Sequence, residues 1–325
     1  MEFRTKVDIP AAKFKLNYDS VSVFMGSCFA DNLGTRLDRL KFPIVRNPFG
    51  VLYNPLSVKD NLKLLMDKKL FGERDLSYFN GRWLSFSHYT AFSDTDKQNC
   101  LDKINTSIKV ASDAFSKARF LFITFGTAWV YELINSGKIV ANCHKIPGRE
   151  FKRYMLDSDQ IVSEYSELLE QIHTVNPQLK VIFTLSPIRH WKDGAVGNQF
   201  SKATLLVAIH KIKEKFDFVS YFPAYEIFMD ELRDYRYYAK DMLHPSETAI
   251  DYMWQRFVET YLDDNAIPVM NEVEKIITAV QHKTLNPESE EYFHFRKKMS
   301  DLIKKLEVKY PFLNFSEEKN FFFES

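Results

Sequence analysis

Short apolar segments alternate with longer amphipathic segments through most of the chain, and this alternation limits the possible fold more than any other feature. Apolar, β-branched and aromatic runs predict five strands, at 22–25, 43–46, 120–125, 180–185 and 218–222. Helical patterns lie around these strands, at 31–40, 56–70, 97–118, 159–174, 202–215 and 247–262. Continuous apolar strands with helix-length crossovers are typical of a parallel sheet buried on both faces. The sequence therefore predicts a doubly wound α/β domain of flavodoxin-like type, with a five-stranded, mainly parallel sheet.

The strand-and-helix pattern ends near residue 263. Two helical segments without strands are predicted beyond it, at 271–283 and 287–308, followed by the aromatic tail FLNFSEEKNFFFES. We expect an α/β domain at 1–263, with a lead-in at 1–14, and a helical appendage at 264–325. Exposed phenylalanines in the tail would favour aggregation, so we expect the tail to pack on the domain or to join two copies as a homo-oligomer.

Charge and composition exclude several classes of partner. Lys plus Arg number 44 and Asp plus Glu 43, so a net charge of +1 gives no global field for nucleic acid or an anionic membrane. The chain shows neither a signal peptide nor an apolar run long enough to span a bilayer, so we expect a cytoplasmic protein. The cysteines, Cys28, Cys100 and Cys143, form no CxxC pair, and no nucleotide-binding glycine motif occurs. We therefore predict no metal and no cofactor.

Polar residues follow the first strand as Gly26-Ser27-Cys28, just before a helix. A glycine beside a hydroxyl and a thiol, at a sharp strand-to-helix turn, is the geometry that exposes a nucleophile. Backbone N–H groups at the start of the helix would stabilise a developing oxyanion there. The same residues also fit a plain glycine turn with a serine cap, and both interpretations stay open at this point.

A second candidate segment follows the last predicted strand as Lys240-Asp241-Met242-Leu243-His244-Pro245. Asp241 and His244, three residues apart in a turn fixed by proline, can face one crevice. In that arrangement the imidazole takes a proton from a nucleophile while the carboxylate orients the ring and stabilises its charged form. Active crevices lie outside the carboxyl ends of parallel strands, so this position favours a role for both residues.

Together, the segments MGSCFADNLG, TFGTAWVYE, CHKIPGREF and KDMLHPS resemble the GSCFA family, within the SGNH (GDSL-like) hydrolase and acyltransferase superfamily. The resemblance spans about residues 15–263. It implies a three-layer α/β/α fold, a nucleophile after the first strand, an Asp-x-x-His after the last strand, and acyl transfer to water or to another acceptor.

The superfamily pattern Gly-Asp-Ser-Leu aligns without a gap on Gly26-Ser27-Cys28-Phe29, which implies Cys28 as the nucleophile. A thiol is more nucleophilic than a hydroxyl at neutral pH and needs less from its base. Ser27 becomes the nucleophile if the turn shifts by one residue. A third alternative is that neither side chain attacks.

The superfamily's oxyanion hole matches this sequence only in part. Gly50 is expected to supply one backbone N–H, and Gly126 lies at the turn after the third strand. Ala128 stands where the resemblance would place an asparagine, and losing such a donor costs about 2.7–4 kcal/mol of transition-state stabilisation. The candidates to replace that donor are Asn47, Thr127, Asn142 and His144.

Arg189 and Trp191 follow the fourth strand, so they are predicted to line the crevice and to contact a sugar or an acyl carrier. The resulting prediction is an esterase that forms an acyl-enzyme and acts on a small-molecule or carbohydrate ester, with O-acetyl esters implied by the resemblance. The alternatives are an O-acyltransferase with the same triad and a non-catalytic ligand-binding module.

Overall fold

A computed structural model describes residues 4–281, 286 and 288–323, with the side chain of Phe323 not described. Its central sheet has five strands in the order β2–β1–β5–β9–β10, and every neighbouring pair is parallel. The strands of the described residues are β1 (Ser22–Gly26), β2 (Ile44–Arg46), β3 (Ser77–Phe79), β4 (Arg82–Leu84), β5 (Phe120–Phe125), β6 (Trp129–Leu133), β7 (Lys138–Ile139), β8 (Phe151–Met155), β9 (Lys180–Leu185) and β10 (Val219–Phe222). The predicted five-stranded sheet is confirmed.

The helices of the same residues are α1 (Cys28–Arg39), α2 (Pro55–Met66), α3 (Lys97–Lys117), α4 (Ser158–Val175), α5 (Gly194–Lys215), α6 (Ala224–Glu226), α7 (Glu247–Tyr261), α8 (Ala266–Gln281), α9 (Glu290–Lys309) and α10 (Ser316–Phe323). Successive residues of β1 belong to different hydrophobic cores. Val23 and Met25 belong to the core shared with α2–α5, whereas Phe24 belongs to the core shared with α1 and α7–α9. Helices therefore cover both faces of the sheet, which makes the three-layer α/β/α architecture.

Strand order places the candidate site. From β1 the chain first reaches the edge strand β2 and then crosses to β5, β9 and β10 on the other side. The order therefore reverses between β1 and β5, and crevices in open α/β sheets form outside the carboxyl ends of the strands at such a point. Gly26 ends β1 and Gly126 follows β5, so both glycines lie at this reversal.

The C-terminal helices α8, α9 and α10 extend the core on the α1 and α7 face of the sheet. Val273 and Ile303 are fully buried in that core, and Phe322 of the aromatic tail is 4% exposed. The tail therefore packs back on the described chain. Parts of the predicted helical segments, at 282–283 and at 287, lie outside the described residues. The predicted boundary at 263/264 falls between α7 and α8, and the division into two domains stays a prediction.

Two small antiparallel sheets were not predicted: the β3–β4 hairpin and the sheet β7–β6–β8. Their strands are two to five residues long and mostly half-exposed, so they carry too little periodic pattern to be recognised. Helix α1 also begins at Cys28, three residues before the predicted start. Within residues 4–281 and 288–323, no helix is both long and apolar enough to cross a membrane.

Candidate active site

The turn after β1 brings the backbone unusually close to β5. Gly26 has φ +128°, and a Cβ atom there would lie 2.1 Å from the Thr124 carbonyl oxygen. The Ser27 N–H donates to that same oxygen at 3.0 Å, and the Gly26 N–H donates to Asn47 Oδ1 at 2.9 Å. Only glycine fits this position, because any side chain would strike the neighbouring strand. The turn is thus held on both sides before the chain enters α1.

Ser27 and Cys28 differ sharply in their exposure. Ser27 is the N-cap of α1 and is 2% exposed, and its Oγ is buried without a hydrogen-bond partner. Cys28, the first residue of α1, is partly exposed, and its Sγ lies 3.8 Å from Tyr53 Oη. Burial, followed by the neighbouring thiol, raises the pKa of Tyr53 well above its usual value. Tyr53 therefore remains a phenol that can donate to Sγ.

The first turn of α1 leaves two backbone donors without acceptors. The N–H groups of Ala30 and Asp31 both donate to the Ser27 carbonyl, at 2.9 and 3.4 Å. In the part of the chain that the structure describes, the N–H groups of Cys28 and Phe29 find no acceptor, and the Ser27 side chain does not cap them. Free N–H groups at a helix N-terminus favour an anion.

Asp241 and His244 form a hydrogen-bonded pair in the loop that leads into α7. His244 Nδ1 lies 2.5 Å from Asp241 Oδ2, while Asp241 Oδ1 accepts the N–H groups of Leu243 and His244 at 3.0 and 2.9 Å. Backbone donation from His244 and Leu243, followed by the imidazole bond, lowers the pKa of Asp241 to about 2. The carboxylate thus stays charged at neutral pH and fixes the ring with Nε2 directed away from it.

Tyr53 contacts both Cys28 and His190. The Tyr53 ring, whose hydroxyl contacts Cys28, meets the His190 ring edge-on at 5.5 Å between centroids. Burial lowers the pKa of His190, and the positive charges of Lys202 and, more weakly, His244 lower it further. Sequence reasoning missed Tyr53 as a site residue, because its position after the turn that follows β2 carries no motif.

The predicted backbone donors of the oxyanion hole are already engaged. Gly50 has φ +77° and donates its N–H to the Asn47 carbonyl at 2.7 Å. The N–H groups of Gly126 and Thr127 both donate to the Tyr53 carbonyl, at 2.8 and 2.9 Å. The structure therefore does not favour Gly50 or Gly126 as an oxyanion donor, because tight turns consume these N–H groups.

The predicted side-chain replacements are also bonded within the protein. Asn47 Nδ2 lies 3.4 Å from Asp31 Oδ1, Thr127 Oγ1 lies 3.1 Å from Ser201 Oγ, and Asn142 Nδ2 donates to Thr90 Oγ1 at 2.9 Å. His144 Nε2 lies 3.0 Å from the Ser85 carbonyl oxygen. Ala128 is fully buried, and its N–H donates to Ser201 Oγ. The Ala128 N–H and the His144 imidazole therefore donate to protein acceptors, whereas the Asn47 and Asn142 amides each use one of their two N–H donors in these bonds.

The segment after β9 carries the remaining predicted residues. Trp191 is 53% exposed, whereas Arg189 is half-buried with its Nε lacking a partner. Lys202, which the sequence did not single out, is fully buried and donates from Nζ to the carbonyls of Gly126 (2.9 Å) and Ser186 (2.7 Å). It ties together the carboxyl ends of β5 and β9. No group of three or more His, Cys, Asp or Glu side chains suited to a metal occurs among the described residues.

Two family models match separate parts of the chain. The model of the GSCFA family matches residues 22–257, and that of the GSCFA domain protein, C-terminal domain, matches residues 273–324. Among solved structures, an acetyl xylan esterase (Est2A) from the rumen bacterium Butyrivibrio proteoclasticus is similar with a TM-score of 0.38 and 14% identity. That similarity covers 74% of this chain and 63% of the esterase, so the chain spans less than two thirds of it. No curated protein shows significant similarity to the chain.

Proposed function

The chain belongs to the GSCFA family, and on that premise we propose that it is an ester hydrolase of SGNH type that forms an acyl-enzyme on Cys28. One observation carries the proposal: a partly exposed thiol lies at a helix N-terminus directly after β1, and an imidazole held by a carboxylate lies in the segment after β10 of the same parallel sheet. Nucleophile, base and orienting acid are the three roles that acyl transfer requires.

In this mechanism Cys28 Sγ attacks the ester carbonyl carbon, and its proton passes to His244 Nε2. Asp241 holds Nδ1 and stabilises the imidazolium that forms. The oxyanion lies at the start of α1, where the N–H groups of Cys28 and Phe29 have no other acceptor among the described residues. Collapse of the intermediate expels the alcohol, which takes the proton from His244, and water activated by the same imidazole then releases the acid.

Exposure favours Cys28 over Ser27 as the nucleophile. The Ser27 hydroxyl is buried and has no partner, so it reaches neither a base nor a substrate without rearrangement of the turn. Cys28 is partly exposed and has Tyr53 within contact distance. The resemblance alone left the choice between Cys28 and Ser27 open. We therefore propose Cys28 as the nucleophile on the ground of its accessibility.

Exposure also favours hydrolysis over transfer. The side chains of His244 and Asp241 are 52% and 47% exposed, so water reaches the base directly. Transfer to another acceptor competes well only where water is kept out. For the substrate we propose an O-acetyl ester of a carbohydrate, since the exposed Trp191 ring, in the segment that follows β9, offers an apolar face on which a sugar ring can pack.

Steady-state hydrolysis of p-nitrophenyl acetate by the parent, Cys28→Ala and Ser27→Ala proteins tests the proposal. We expect Cys28→Ala to lose turnover by at least about a thousandfold, to the background set by binding alone. Ser27→Ala should keep turnover within about tenfold, since it removes only a buried hydroxyl. Turnover by Cys28→Ala at the parent rate would refute a cysteine acyl-enzyme, and release of product only with an added sugar acceptor would identify an O-acyltransferase instead.

A further inference from the structure

Arg189 is a half-buried guanidinium with no carboxylate to balance it. It lies in the segment between β9 and α5, and no carboxylate oxygen of the described residues comes within 4 Å of it. Its neighbours are uncharged: Nη2 lies 3.6 Å from the thioether of Met229, and the side chain lies against the Tyr225 hydroxyl. Its Nε is buried and has no partner among the described residues. A cation withdrawn from water normally has paired, hydrogen-bonded neighbours, so this guanidinium lacks a negatively charged acceptor.

The carboxylates closest to this region are already engaged. Asp230 is 3.1 Å from the guanidinium of Arg233, and Glu226 accepts the Tyr221 hydroxyl at 2.8 Å. Several arginines are paired with acids: Arg36–Asp251, Arg46–Asp31, Arg153–Asp193, Arg236–Asp234 and Arg256–Glu231. Arg189 differs from these in combining partial burial with an unpartnered Nε, in the segment that follows the carboxyl end of β9.

Lys202 adds a second unbalanced cation beside Arg189. The ammonium group is fully buried, and among the described residues it donates to the carbonyl oxygens of Gly126 and Ser186, which are uncharged. Burial, and then the charge of Arg189, lowers the pKa of Lys202 to about 7. Lys202 is therefore disfavoured as a cation, and Arg189 is the group with free N–H donors, since its Nε has no partner among the described residues.

We propose that Arg189 is a carboxylate subsite, so that the ester taken by the candidate active site is a monoanion. This inference rests on the proposed function. Arg189 is adjacent to His190, whose ring meets Tyr53, which in turn contacts Cys28. The guanidinium fork binds a carboxylate through two parallel bonds. A ligand with a single negative charge fits this subsite better than a phosphate dianion does. Lys202 donates to the carbonyls of Gly126 and Ser186, so Arg189 alone is left to bind the anion.

Two esters that differ by one charge test the subsite: monomethyl succinate, a carboxylate, and dimethyl succinate, its neutral counterpart. Dissociation constants are measured by saturation-transfer NMR on Cys28→Ala protein, where no turnover is needed, with and without Arg189→Met. Arg119→Met is the matched control. Arg119 also has no carboxylate partner within 4 Å among the described residues, but it bonds Gln178 at 2.8 Å and precedes β5, at the opposite edge of the sheet.

We expect the monoanion to bind about ten- to a hundredfold more tightly than the diester, as for one charge-assisted contact. Arg189→Met should abolish this preference and Arg119→Met should keep it, while inorganic phosphate should compete weakly. Equal affinities for the two esters, no measurable binding of the monoanion, or a preference that survives Arg189→Met would overturn the inference. Hydrolysis of either ester by the parent protein tests the proposed function separately, because the binding experiment does not depend on it.

Discussion

Two histidine regions of this molecule use the same side chain in opposite environments. His244 lies in an exposed loop, bonded to a carboxylate through Nδ1. His88 and His144 lie in the interior around Ser85: His88 Nδ1 is 2.9 Å from Ser85 Oγ, and His144 Nε2 is 3.0 Å from the Ser85 carbonyl oxygen. His244 is exposed to solvent and paired with a carboxylate, whereas His88 and His144 are buried and have no carboxylate partner among the described residues.

The difference decides what each region can do. Burial, reinforced by the charge of His144, lowers the pKa of His88 to about 3, and burial also lowers the pKa of His144. These two imidazoles remain neutral at pH 7 and tie one loop to another. Asn142 and His144 are candidate oxyanion donors from the sequence, yet the Asn142 side chain accepts the His144 N–H and donates to Thr90 Oγ1. Environment, rather than residue type, separates the proposed base from a structural histidine.

The largest expected effect is on turnover. His244→Ala should lower the rate of p-nitrophenyl acetate hydrolysis by about a hundred- to ten-thousandfold, the range of a general base. His144→Ala, measured at a temperature where it remains folded, should stay within about tenfold of the parent. Equal losses in the two variants would remove the distinction between the regions.

The same two variants should reverse their order in stability. His144→Ala leaves the Ser85 carbonyl without its donor and opens a cavity, so the free energy of unfolding should fall by about 1–3 kcal/mol. His244→Ala should change it by about 0.5 kcal/mol or less, since the side chain is half in water. Urea titrations at pH 7 measure both. A larger loss for His244→Ala would contradict the structural role assigned to His144.

The third expected difference between the two regions is in the dependence of stability on pH. The folded-state pKa of His88, about 3, lies below the ordinary value of 6.5. Between pH 3 and pH 6.5 the unfolded chain therefore binds a proton at His88 that the folded chain does not bind. Stability should therefore fall as the pH decreases from 6.5 towards 3, by up to about 1.4 kcal/mol per pH unit from this group. His88→Leu should flatten that slope. Phe92→Leu, which replaces the aromatic ring whose centroid lies 5.0 Å from that of His88, should keep it. An unchanged slope in His88→Leu would show that His88 does not supply it.

Much of the fold could be predicted because its signals are local and repeated. The five apolar segments and the helical segments between them directly indicate a parallel sheet, and all five strands lie where predicted. The sheet of β6, β7 and β8 could not be predicted, because Trp129–Leu133 is only half-buried and its partners are separated from it by turns. The start of α5 was missed since Gly194 and Gly197 weaken the helical pattern.

The site was less predictable than the fold, because its geometry depends on side chains that are distant in sequence. Ser27 and Cys28 are adjacent, and only the packing of the turn against Thr124 reveals which one is buried. Nothing in the spacing of residues along the sequence indicates that Tyr53 contacts both Cys28 and His190. The expected N–H of Gly50 is consumed by Asn47 in a turn whose closure no motif specifies.

The most direct test of the account is the location of the acyl group on the protein. The protein is mixed with p-nitrophenyl acetate at pH 7, quenched in acid within the first turnovers, and analysed by peptide mass spectrometry for acetyl groups on Ser27 and the three cysteines. The account predicts acetylation of Cys28, its persistence in Ser27→Ala, and little on Cys100 or Cys143, whose thiol pKa values burial raises. Acetylation of Ser27 in the parent protein, or equal labelling of all three cysteines, would contradict it.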